Sequence, residues 1–156
     1  MKRNRSQAFV FREDGKILLV KHKMFGRTFY NLPGGGIEDD ETPEEAAVRE
    51  LKEEACVEGR VVRPLTIEYK PDLESRVFSF LIEVSPDAVP MKGCDPELPD
   101  EEQTICDVSW LSLDEIPERD RAYLFGAGLL RIPLFHDIVL KWRDDEISFP
   151  GQNDES

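Results

Sequence analysis

A chain of 156 residues with 40% hydrophobic and 34% charged residues suits one domain around one core and is too apolar for a disordered chain. Its formal net charge of −13 argues against polymeric nucleic acid as a partner, because such binding depends on basic side chains displacing counterions. No apolar run approaches the ~20 residues of a membrane span. The three cysteines, Cys56, Cys94 and Cys106, show no CxxC spacing, so a zinc knuckle or disulfide framework is not expected and a reducing cytoplasm is the natural compartment.

The basic start, Met1 to Arg5, resembles the charged end of an export signal. The apolar stretch Ala8 to Phe11 stops at Arg12, Glu13 and Asp14, so export is not expected. Ser6 to Arg12 and Lys16 to Lys23 are β-rich runs around Glu13-Asp14-Gly15, the pattern of a hairpin. A loop is expected from Met24 to Thr28, then a short segment from Phe29 to Leu32. Pro33 and the glycines Gly34, Gly35 and Gly36 are expected to end regular structure there.

Next comes the strongest helix signal in the chain. Thr42 can cap it, Pro43 falls at the first helical position and Glu45 completes a capping box; the body runs to about Ala55. Arg60 to Tyr69, Ser75 to Val84 and Ile105 to Leu111 are β-rich, with an acidic, Pro- and Gly-containing surface loop from Ser85 to Glu102. A helical turn is expected at Leu113 to Ile116, and a C-terminal helix at Leu129 to Trp142, interrupted near Pro133. Residues 144–156 are acidic and polar and are expected to form a frayed tail behind a single domain of residues 1–143. The order predicts one α/β domain, a mixed sheet covered by helices.

On the first helix, Val48, Leu51 and Ala55 form an apolar stripe, and Glu50, Glu53 and Glu54 follow the same three-and-four spacing on the opposite side, beside Arg49. Clustered carboxylates repel: two charges ~4 Å apart cost roughly 1 kcal/mol in water and about 4 kcal/mol at an effective dielectric near 20. Hard divalent cations remove that penalty and bridge carboxylates to phosphates. A solvated acidic face is the ordinary meaning of three such glutamates. The glycine run immediately before the helix changes the balance, because its backbone can approach an ion and supply a carbonyl oxygen.

These residues resemble the signature of the Nudix family: a glycine, five residues, a glutamate, seven residues, Arg-Glu, an aliphatic, any residue, Glu-Glu, any residue, a glycine and an aliphatic. The chain has Gly35, Glu41, Arg49-Glu50-Leu51-Lys52-Glu53-Glu54-Ala55-Cys56-Val57 at those places. Cys56 departs from the family glycine, at a position just past the helix where a left-handed backbone is usual. The resemblance implies an α/β/α fold with the mixed sheet between helices. It also implies metal-dependent hydrolysis (Mg²⁺ or Mn²⁺) of a nucleoside diphosphate linked to another group, such as a nucleoside triphosphate, an oxidised nucleotide or ADP-ribose.

Carried over by position, Glu50, Glu53 and Glu54 would hold metal, and Glu50 has also been treated as the general base in some members. Arg49 would orient the carboxylates, Glu41 would support that network or reach a metal through water, and a carbonyl of Gly34 or Gly35 would complete the coordination. A further loop acid is common among relatives, and Glu102 is the choice here. Arg27 and Tyr30 are candidates for holding phosphate and stacking on a base, with a core role equally open to Tyr30. His22 and His136 are expected to be surface or packing residues. A small nucleotide and no membrane are the expected partners, with a homodimer open; the subfamily is not assigned. The alternatives are a non-catalytic nucleotide-sensing module, which would tend to lose the box carboxylates, and a decapping-like enzyme, against which the acidity argues.

Overall fold

The structure, a computed structural model, describes residues 3–142, so the expected tail over 144–156 lies outside the described residues. Among the described residues the strands are β1 (Arg5–Phe9), β2 (Ile17–Met24), β3 (Arg27–Asn31), β4 (Gly34–Gly36), β5 (Gly59–Lys70), β6 (Ser75–Val84) and β7 (Ile105–Leu111). The helices are α1 (Pro43–Ala55), α2 (Glu118–Gly126) and α3 (Pro133–Leu140). None is long and apolar enough to cross a membrane.

The strands form two sheets rather than one: a mixed sheet in the order β4-β1-β6-β5 and an antiparallel one in the order β3-β2-β7. Period-two alternation sends side chains to opposite faces. Ala8, Val10 and Leu18 meet Ala47, Leu51 and Ala55 of α1 in one core, while Phe9, Ile17 and Leu19 meet Leu124 of α2 and Phe135 of α3 in the other. The α/β/α layering follows. Each fully buried leucine in these layers contributes roughly 1.5–3 kcal/mol.

The hairpin expected across Glu13-Asp14-Gly15 is only partly formed. Both edges of β1 are taken, by β4 and β6, so β1 and β2 lie in different sheets. What remains is a tight turn, with Gly15 N–H donating to Arg12 O and a bridge from Phe11 to Ile17. The loop expected from Met24 to Thr28 is instead a hairpin. β2 and β3 continue to a two-residue turn, Phe25-Gly26, both with positive φ, which suits the twist of the paired strands. An aromatic residue in the left-handed region concealed this turn.

The glycines do not end regular structure either. They form β4, antiparallel to β1, with Ser6 opposite Gly35. α2 was missed because its sequence, Glu-Arg-Asp-Arg-Ala-Tyr-Leu-Phe-Gly, has no apolar stripe and depends on its neighbours for stability.

α1 begins as expected: Thr42 accepts from Glu45 N–H, and Glu45 accepts from Thr42 N–H. It ends at Cys56, whose φ of 57° and ψ of 36° are left-handed, with its N–H donating to Lys52 O at 3.0 Å. A side chain pays for that conformation, so Cys56→Gly is expected to stabilise the protein by about 1 kcal/mol, or about 2–4 °C in melting temperature. Calorimetry checks this; a lower melting temperature would mean that contacts of the exposed Cys56 outweigh its backbone strain.

Candidate active site

β4 lies along α1, and having no side chains it leaves room against that helix. Glu50 and Glu54 fill it. This corrects the expected placement of the carboxylates on the unpacked side: Glu50 and Glu54 are 6% and 5% exposed and sit on the packed face, whereas Glu53 is only partly buried and Val48 is not part of the fully buried stripe. A methyl group on Gly35 would collide with the Glu50 carboxylate, so a side chain there displaces that carboxylate. Gly34 N–H donates to Glu54 Oε1 at 3.0 Å.

In the β1–β4 ladder, Ala8 N–H donates to Pro33 O and Ile37 N–H to Asn4 O. Alternation then turns the backbone groups of Gly35 toward Ser6 and those of Gly34 toward α1. Of the two carbonyls expected to serve a metal, that of Gly34 faces the carboxylates and that of Gly35 faces β1.

Burial, opposed by Arg49 and reinforced by Glu53 and Asp95, pushes the Glu50 carboxyl up to about 7. Burial also pushes Glu54 up to about 8, against the Gly34 hydrogen bond and with help from Glu50 and Asp95. Glu53 is raised as well, chiefly by burial and against Arg49. Arg49 knits the site together. It donates to Glu41 at 2.6 and 2.9 Å, to Glu50 and Glu53 at 3.0 Å each, and to Gly36 O at 3.0 Å. Its own pKa is raised, mainly by Glu41, and it holds Glu41 below the usual carboxylate range.

The carboxylates open onto a cleft of about 400 Å³, with Glu50, Glu54, Asp95 and Glu97 contributing acids and Arg3, Arg5 and His22 supplying nitrogen groups. Glu102, the expected loop acid, does not line it. That residue is exposed on a short turn, Asp100–Glu102, whereas Asp95 and Glu97 of the same loop reach the cleft.

The loop is seated by the end of α1: Met91, Gly93 and Cys94 N–H groups donate to the carbonyls of Ala55, Glu54 and Glu53. A Cβ on Gly93 would strike the Glu53 carbonyl, so the backbones touch there. Gln103 then fastens Asp95 from both sides, donating to its carbonyl at 2.7 Å and accepting from its N–H at 2.8 Å. These acids were illegible in the sequence because only the docked loop selects among its many carboxylates.

Among the described residues no three His, Cys, Asp or Glu groups stand together at metal-ligand spacing, and Arg49 bridges Glu50 and Glu53. The donor chemistry nevertheless fits a hard divalent cation. Two buried carboxylates resist ionisation beside an open cleft, and the acids at its wall offer oxygen ligands.

Both carboxyls bind protons more tightly in the folded protein than at their ordinary value of 4.5. Their contribution therefore favours folding below about pH 4.5 and fades as pH rises through about 7 and about 8. Metal-free protein is expected to melt at least about 5 °C lower at pH 8.5 than at pH 5.5 through these groups. Mg²⁺ should raise the melting temperature more at the higher pH, and a Glu50→Gln/Glu54→Gln variant should flatten both trends. A profile identical in the variant would show that other groups set it.

A second cavity, of about 630 Å³, lies at the outer edge of β3. It holds the expected substrate residues Arg27, which is exposed, and Tyr30, which also packs against the core. Asp120 accepts from Tyr30 N–H at 2.9 Å, and Tyr123 OH from Leu32 N–H at 3.2 Å, so side chains of α2 cap the strand edge. His22 packs, as one of the two expected roles: it stacks on Phe29, pairs with Thr104 Oγ1 at 2.8 Å and also lines the cleft. Burial lowers its pKa. His136 is exposed, near Asp137.

Residues 1–131 match the family model for the NUDIX domain. The chain is 40% identical over 75 residues to diphosphoinositol polyphosphate phosphohydrolase 3-alpha of Mus musculus, which is 47% of this chain and 44% of that protein. It is 41% identical over 68 residues to an ADP-ribose pyrophosphatase of Methanocaldococcus jannaschii, 43% of this chain and 40% of that protein. The matches thus span less than half the length of these relatives. A crystal structure of a NUDIX hydrolase from Nitrosomonas europaea has the same fold, with a TM-score of 0.63 at 22% identity over 76% of this chain and 62% of that one.

Proposed function

The chain belongs to the Nudix family, and from that membership we propose that it hydrolyses a phosphoanhydride bond in a small nucleoside diphosphate linked to a further group, with Mg²⁺ as the metal. The observation that carries this is the packing of two ionisation-resistant carboxylates, Glu50 and Glu54, against a side-chain-free strand at the wall of an open cleft.

Glu50, Glu53 and Glu54, with the Gly34 carbonyl, would hold the cation. When bound, it supplies neutralisation of phosphate oxygens and a more acidic water. Glu54 is held in place by Gly34 N–H, and Arg49 with Glu41 fixes the orientation of Glu50 and Glu53. Arg3, which pairs with Glu97 at 3.1 Å, and Arg5 also line the cleft and are suited to phosphate oxygens. Glu50, at the cleft wall and oriented by Arg49, is also placed to take a proton from attacking water. Asp95, fastened by Gln103, takes the loop-acid part that the sequence assigned to Glu102.

The test is a panel incubated with Mg²⁺ or Mn²⁺: ADP-ribose, nucleoside triphosphates, oxidised nucleotides and a diphosphoinositol polyphosphate. Release of a nucleoside monophosphate is the expected result. No phosphate-containing product from any member would overturn the assignment. Tight nucleotide binding without turnover would point to the sensing module instead.

A further inference from the structure

β5 ends the four-stranded sheet on one side, with β6 as its single neighbour. Among the described residues, no backbone group of 59–70 is hydrogen-bonded outside that ladder. An open edge offers alternate N–H and C=O groups to another strand, and proteins blunt such edges with proline, bulges or charge. Here those devices sit in the first half of the strand: Pro64, and register shifts at Val61/Arg63 and Pro64/Thr66. From Thr66 to Lys70 the pairing with β6 is uninterrupted, so the outer edge is regular there.

The same stretch exposes apolar surface. Ile67 and Tyr69 are 61% and 56% exposed, opposite Phe78 and Arg76 of β6 on the face that carries α1. Glu68 and Lys70 alternate to the other face, where they pair at 3.4 Å and where the end of α2 lies, Gly126 O accepting from Thr66 Oγ1. The two faces are thus partly covered by helices while the edge between them is bare. β5 holds Arg60, Arg63 and Lys70 against the single acid Glu68, which softens at this edge the repulsion between two chains of net charge −13.

We infer that a second copy of this chain docks edge to edge on β5, joining the two four-stranded sheets about a twofold axis at Tyr69. The charge order around Tyr69 is self-complementary, with Glu68 before it and Lys70 after it. Two antiparallel copies centred there set Glu68 of each opposite Lys70 of the other and bring the two Tyr69 rings together. Moving the axis one residue either way would set two Glu68 or two Lys70 side chains face to face. Opposite charges therefore select both the occupant and its register.

Sedimentation velocity of the whole protein from ~1 to ~100 µM reads the association, with a reducing agent present so that the exposed cysteines cannot link copies. A reversible monomer–dimer equilibrium is expected for wild type. Glu68→Lys or Lys70→Glu alone places like charges opposite each other twice in the interface and is expected to weaken dimerisation at least about tenfold. The double swap Glu68→Lys/Lys70→Glu restores opposite charges and is expected to return the dissociation constant to within about threefold of wild type. Recovery of this kind is not produced by a general loss of folding, which circular dichroism checks in each variant. A wild type that stays monomeric throughout, a dimer indifferent to both single substitutions, or a double swap no tighter than the single variants would each overturn the inference.

Discussion

Replacing Glu54 with glutamine is expected to lower kcat by at least about 10²-fold while leaving the fold intact, since loss of one charged group that acts on the transition state typically has that size of effect. The fold survives for a different reason from the one the helix pattern suggests. Glu54 is on the packed face, 5% exposed, but glutamine has the same shape and its carbonyl still accepts from Gly34 N–H. Removing a buried carboxyl whose pKa sits at about 8 relieves the metal-free protein at high pH rather than harming it. Unchanged turnover together with unchanged Mg²⁺ stabilisation would sink the metal-site assignment. Circular dichroism and a melting curve separate this from a misfolded variant.

Arg49→Ala is expected to be the most destabilising single change at the site. Arg49 is 21% exposed and carries hydrogen bonds to three carboxylates and a carbonyl. Its loss leaves Glu41, Glu50 and Glu53 crowded without their counter-charge, which for a largely buried network costs about 3 kcal/mol and lowers the melting temperature by roughly 6–12 °C. Activity should fall at least about 10²-fold as the carboxylates lose their common anchor. Arg49→Lys is expected to recover little of either, because a single ammonium cannot reproduce the planar set of bonds to Glu41, Glu50, Glu53 and Gly36. Urea denaturation at pH 7.5 measures the effect. A midpoint within error of wild type would show that solvent already screens these pairs.

The decisive residues were legible unevenly. The capping box of α1 could be read from Thr42, Pro43 and Glu45, since capping is a matter of neighbours a few residues apart. The carboxylate spacing was equally local. The side of the helix on which those carboxylates would lie was not: three glutamates look solvent-facing until β4, a strand of glycines, is known to lie against them. Asp95 and Glu97 could not be told from Glu102 by composition, because docking of Gly93 and the grip of Gln103 decide which acids reach the cleft.

By itself the sequence determined the elements that local rules govern: the capped helix, the long β-rich runs and the residues of the family signature with their oxygen chemistry. Those depend on interactions within a few residues of one another, where turn geometry and side-chain period leave little choice. Only the tertiary structure decided how the strands divide into two sheets, that the glycines pair with β1, and that Glu50 and Glu54 are buried enough to resist ionisation. These follow from competition among distant segments for the same edge and from exclusion of water, and neither quantity exists until the chain has closed upon itself.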